Sequence, residues 1–212
     1  MSYVILSGRF ETGTDEQKND FALLFGEETI NYKFDLYFHW YNLIHELGHC
    51  ILDMNKVRKS GVREEMYVNE LAVAYYSFIG EYERLEKLES IITEALSRMI
   101  SPVPEGMDFT DYYEDIWGTE KLNDVLVYGY FQLNSVLKAL KKQPSLADTL
   151  SEIGFTIDTS TEMLISDFAI EAENSGRCLR MACDNLIRLG VVIPDIHVEL
   201  QDDPSIQRVE II

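Results

Sequence analysis

Leu36, Trp40, Leu43, Ile44, Leu47 and Ile51 recur at spacings of three and four residues. This period predicts an amphipathic helix over about 36–55 whose apolar stripe must face a core. Asp35 can cap its start, and the basic segment Asn55-Lys-Val-Arg-Lys-Ser-Gly61 closes it where a helix C-terminus favours positive charge. The same helix carries His45-Glu46-Leu47-Gly48-His49. On a wheel with Leu36 at zero, the stripe falls within about 60° on one side and 80° on the other. His45 then lies near 180° and His49 near 220°, at about 100° per residue. Both histidines point away from the core stripe, which argues against two packed core imidazoles.

The spacing has a chemical reason. Residues four apart on a helix lie nearly above one another, so His45 and His49 can hold one metal ion. Glu46 projects to the same side and can reach a water on that metal. Chance alone would place HExxH in roughly one chain of this composition per hundred. Zinc is the expected ion, and it needs a third protein ligand beside an open position. A second helical pattern over about 63–79 offers Glu64, Glu65 and Glu70. On its wheel Glu70 lies near 200°, opposite the apolar stripe, while Glu64 and Glu65 fall within about 60° of the stripe's centre. Glu70 is therefore the expected ligand, with the small Ala74 one turn on to let the two helices approach.

His45-Glu-Leu-Gly-His49 followed by Asn69-Glu70-Leu-Ala72 resembles the gluzincin metallopeptidases over residues 36–79. The Asn-Glu-x-x-Ala form is similar to their aminopeptidase branch, and the His-Glu-Leu-Gly-His form to the ImmA/IrrE-type peptidases. The resemblance implies a zincin-like helix pair and cleavage of a peptide or protein substrate. Departures are visible: twenty residues separate His49 from Glu70, no Gly-x-Met-Glu-Asn motif is present, and Ala74 stands where thermolysin-like enzymes carry an aspartate. The expected chemistry is metal-assisted hydrolysis with Glu46 as general base on a zinc-bound water. An oxyanion stabiliser is also required, for which Tyr130 is the catalytic candidate, with Tyr128, Tyr112, Tyr113, His39 and His197 as further possibilities. The alternative is a zincin-fold interaction or regulatory protein without general turnover.

Other features point to ordinary structural roles. Lys56, Arg58, Lys59 and Arg63 read as helix-end charges, Cys50 as a small core residue, and Cys178 and Cys183 have no metal-ligand spacing.

Around this helix pair the pattern predicts an α+β, mostly helical protein. Tyr3–Leu6 reads as a strand, and 21–25 with 29–34 as a hairpin. Helices are expected to about residue 99, then over 119–141, 145–153 and 161–189, and the tail reads as extended. Pro102 and Pro104 stop the third helix, and the acidic, aromatic stretch 105–118 reads as a loop. It marks the boundary between a catalytic region, 1–104, and a helical C-terminal region, 105–212, packed with it as one unit. The charge of −19, from 37 acidic against 18 basic residues, argues against nucleic acid or an anionic membrane as partner. Three scattered cysteines, and the lack of a signal peptide or long apolar run, predict a cytoplasmic protein.

Overall fold

Ser2–Gly8 forms strand β1 in the computed structural model, which describes residues 2–202 and 210–211. Its alternation buries Tyr3 and Ile5, and the Tyr3 hydroxyl donates to Asp53 Oδ2 at 2.7 Å. β1 pairs in parallel with β2 (Asp195–Gln201), Ser2 opposite Asp195, and antiparallel with the short β3 (Glu210–Ile211). The rest is mostly helical, so the fold is α+β with a small sheet at one side.

Residues 21–25 and 30–34 are helical, which corrects the expected hairpin. Helix α1 (Asp15–Phe25) starts at Thr14, whose hydroxyl accepts from Gln17 N at 3.2 Å while Gln17 Oε1 accepts from Thr14 N at 2.6 Å. This reciprocal cap satisfies two backbone donors and outweighs the β-like run of apolar residues. Gly26 ends α1 at φ 73°, and α2 (Ile30–Phe34) follows. Asp35–Tyr41 then continues as a wider π-helical turn into α3 (Asn42–Met54), so the expected helix over 36–55 has two differently wound parts.

Helix α4 (Gly61–Phe78) packs along α3. A Cβ on Gly48 would sit 3.0 Å from the Val68 side chain, so the close approach occurs at Gly48. Helix α5 (Tyr82–Arg98) follows. The stretch expected to be a loop contains helix α6 (Phe109–Ile116), because Asp108 accepts from Thr110 N and Asp111 N and Tyr112, Tyr113 and Ile116 bury one face. Helix α7 (Val125–Lys142) and the short α8 (Leu146–Ser151) complete this side.

The expected long helix 161–189 is present only as α9 (Ser175–Arg188). Residues 155–171 are irregular yet anchored. The buried Asn185 accepts from Leu164 N at 2.8 Å and donates to Leu164 O at 3.0 Å. Asp158 accepts from both the backbone and the hydroxyl of Ser160, so local side-chain bonding competes with helix initiation.

The main core draws buried residues from Ile5 through Val191, and so from both sides of the expected boundary at 105. A smaller cluster joins Val62 at the start of α4 to Tyr112, Tyr113 and Ile116 of α6 and Phe131 of α7. Among the described residues, no helix is long and apolar enough to cross a membrane.

Candidate metal centre

The crossing of α3 on α4 decides which side chains meet. Val68 rests on Gly48, and residues 64 and 65, one turn earlier on α4, therefore fall beside the histidines of α3. His45 Nε2 and His49 Nε2 lie 3.3 Å apart. Glu65 Oε2 is 3.3 Å from His45 Nε2, and its Oε1 is 3.7 Å from His49 Nε2. Glu46 belongs to the same group, since one ligand atom each from His45, Glu46 and His49 all lie within 4.8 Å of one another.

The far side of each ring is tied. His45 Nδ1 is 2.9 Å from Asn69 Oδ1, and the amide orientation is fixed because Asn69 Nδ2 donates to Glu65 O at 2.9 Å. The Tyr41 hydroxyl donates to the same Asn69 Oδ1 at 2.9 Å. His45 must then donate through Nδ1, which leaves the lone pair on Nε2 facing the cluster. His49 Nδ1 donates in the same way to Glu64 Oε1 at 2.9 Å. Two imidazoles with Nδ1 held and Nε2 converging on a carboxylate are the donor set that suits a divalent ion such as zinc.

Without a metal, the carboxylates favour a proton on His49 in the place of an ion. Burial would lower the His49 pKa, but its hydrogen bonds to Glu64 and Glu65 outweigh this and push it up to about 10. Burial would raise Glu65, yet the hydrogen bonds and charges of His45 and His49 hold it well below the usual carboxylate range. A proton on His49 and a metal cation thus compete for one strongly negative place. Glu46 is raised above the ordinary glutamate value, chiefly by burial and against the charges of both histidines; Asn42 Nδ2 donates to its Oε1 at 3.1 Å.

Glu70, the expected third ligand, does not join the cluster. Its Oε2 pairs with Lys142 Nζ at 2.6 Å, and it sits about 140° round α4 from Glu65 at about 100° per residue. The wheel misled because every residue from Leu71 to Tyr76 is buried. An element buried on all sides has no stripe to mark which face meets its neighbour. Asn69 in turn orients His45, so the Asn69-Glu70 pair does not play the aminopeptidase role that the resemblance implied.

A cavity of about 590 Å³ opens on the cluster. Its walls come from α1, the π-helical turn and the first half of α7, and they include Tyr128 and Gln132. Gln132 Nε2 donates to Glu65 Oε2 at 2.8 Å and to the Tyr128 hydroxyl at 2.7 Å. Tyr130, the catalytic candidate, is not among the residues lining this cavity. It lies about 200° from Tyr128 on α7, packed against the smaller cluster of Val62, Tyr113 and Phe131. Tyr112 and Tyr113 belong to that cluster as well, and the Tyr113 hydroxyl donates to Val127 O. His39 is buried between Asp35 Oδ1, 2.6 Å from its Nδ1, and Gly8 O, 2.9 Å from its Nε2. His197 sits on β2 beside Glu199. Gln132 is the site residue that the sequence does not single out; Glu64 and Glu65 rank there below Glu70, and Asn69 enters only as the neighbour of Glu70. The i to i+4 spacing of Glu65 and Asn69 was the available signal.

The expected structural roles of the other residues have visible partners. Arg58 pairs with Asp53, Lys59 lies over the Tyr67 ring and Arg63 pairs with Glu114. Cys50 is buried, and all three cysteines are free thiols.

Comparison with protein-family models, with curated proteins and with solved structures gave no match to this chain.

Proposed function

We propose that this chain is a zinc-dependent metallopeptidase of gluzincin type, with His45, His49 and Glu65 as the metal ligands. The observation that carries the reading is the convergence of two Nδ1-anchored imidazoles and Glu65 beside Glu46, at the wall of a large cavity. A zinc ion there supplies Lewis-acid polarisation of a carbonyl and makes water acidic enough to be deprotonated near neutral pH. Glu46, whose pKa burial raises above the ordinary glutamate value, accepts the water proton and returns it to the leaving amine nitrogen. Tyr128, in the cavity wall and steadied by Gln132, takes the oxyanion role in place of Tyr130. Gln132 also fixes Glu65 Oε2, and Asn42 fixes Glu46, so both carboxylates are held before substrate arrives. A cytoplasmic setting, supported by the free thiols, belongs to the same proposal.

The test is metal content by mass spectrometry on protein purified without chelator, followed by hydrolysis of a quenched-fluorescent peptide library. The expected result is about one zinc per chain, with turnover that disappears in Glu46→Gln while zinc is retained. Zinc binding without turnover in the wild type would instead identify a metal-binding interaction protein. Turnover undiminished in Glu46→Gln would remove the mechanism.

A further inference from the structure

Gly129 lies in the interior of α7, outside the left-handed region of φ, and a Cβ placed on it would meet no atom within 4 Å. Glycine is among the poorest helix formers, so neither the helix nor the packing of its neighbours calls for it here. Its bare backbone does one thing: it leaves room in the wall of the cavity that also holds His45, Glu46, His49 and Glu65.

The chemistry of that wall narrows what the room is for. Phe21, Leu24, Phe25, Phe38 and Leu133 make a large apolar share of it. Among the described residues, no lysine or arginine lines the cavity, and its acids are Glu46 and Glu65. Apart from the metal cluster itself, the wall offers no cation to hold an acidic side chain or a terminal carboxylate. Glu65 is engaged by the histidines and Glu46 by proton transfer, so no further acid in the wall remains to fix a terminal ammonium. An apolar wall of this extent gains most from a large apolar side chain.

We propose that, given the peptidase reading above, the substrate is an internal stretch of peptide whose bulky apolar side chain, of the size of Phe or Leu, fills this cavity while Gly129 keeps the wall clear for it. Gly129 is then a specificity-determining residue.

The zinc-loaded full chain is titrated with the N-acetyl amides of Phe, Leu, Ala and Asp, and binding is followed in 15N–1H spectra. The Phe and Leu amides are expected to bind about tenfold to a hundredfold more tightly than the Ala amide, and the Asp amide least of all. Gly129→Leu is expected to keep its zinc and melting temperature and to lose the Phe preference; Gly129→Ala gives a smaller, graded loss and separates crowding from a fold defect. Equal affinity for all four amides, no binding of any, or a Phe preference that survives in Gly129→Leu would overturn the proposal. Hydrolysis is read apart from this, with peptides carrying a central Phe or Leu and with Glu46→Gln as control. Amide selectivity without cleavage removes the reaction and leaves the pocket, whereas cleavage without selectivity removes the pocket and leaves the reaction.

Discussion

Glu65 and Glu70 are five residues apart on one helix, and their different partners make them a sharp pair for substitution. Glu65 faces two imidazole nitrogens and accepts from Gln132, while Glu70 makes an ion pair with the half-exposed Lys142. Surface pairs of the latter kind contribute about 0–1 kcal/mol. Glu65→Gln keeps the side-chain shape and removes the charge, so zinc affinity should fall by at least the 10–100-fold (about that range) seen for loss of an outer partner. Glu70→Gln should leave affinity unchanged and stability nearly so. Competition against a chromophoric chelator measures both, and an equal loss in the two variants would return the ligand role to Glu70.

At the scale of elements, the first turn of α4 is held from outside by the α6 segment. A Cβ on Gly61 would lie 1.7 Å from Trp117 Nε1, so the indole rests directly on the backbone three and four residues before Glu64 and Glu65. Gly61→Ala therefore has to displace Trp117, with a loss of about 1–3 kcal/mol in urea unfolding and weaker zinc binding. Adding Trp117→Ala should recover part of that loss, and a strictly additive double variant would show that the contact does not couple the two segments. This support explains what the sequence could and could not convey. The period-3.6 stripes of α3 and α5, the prolines after α5 and the glycines at 154 and 190 were readable, because each acts locally. Both glycines do take positive φ, 92° and 83°. The cap at Thr14 is equally local, but the run of apolar residues after it reads as strand. Segment 155–171 is different: its shape depends on Asn185 and on Arg84, which donates to Ser166 Oγ at 2.9 Å, both distant in sequence. The same distance hid Glu65, since only the crossing at Gly48 and Val68 selects it. His45, Glu46 and His49 were legible because one helical turn brings them together.

Across the whole molecule, buried phenols and thiols set an alkaline limit to the fold. The Tyr3 hydroxyl is pushed up to about 12, first by its hydrogen bond to Asp53 and then by burial. Burial raises Cys178 to about 11 and Cys183 to about 12. Tyr37, Tyr41, Tyr75 and Tyr76 are also raised, chiefly by burial. A group raised in the folded state contributes stability that is complete below its unfolded value and is lost as pH climbs through its folded value. With unfolded values of about 8.5 for Cys and 10 for Tyr, stability should begin to fall above pH 8.5 and fall most steeply between about 10 and 12. Phenolate absorbance and helical circular dichroism should change together in that window. The stability difference between wild type and Tyr3→Phe should shrink across it, and a constant difference would contradict the role of the Asp53 bond. The pairing of Ser2 with Asp195 has a consequence of another kind. During synthesis β1 leaves the ribosome before β2, and the 186 residues between Gly8 and Asp195 must follow before β2 exists to receive it. The helices, whose contacts are closer in sequence, condense before the sheet closes. A nascent chain stalled short of residue 195 therefore carries an unmatched strand edge with Ile5 and Leu6 on it, the form of this protein most prone to aggregate and most in need of a chaperone.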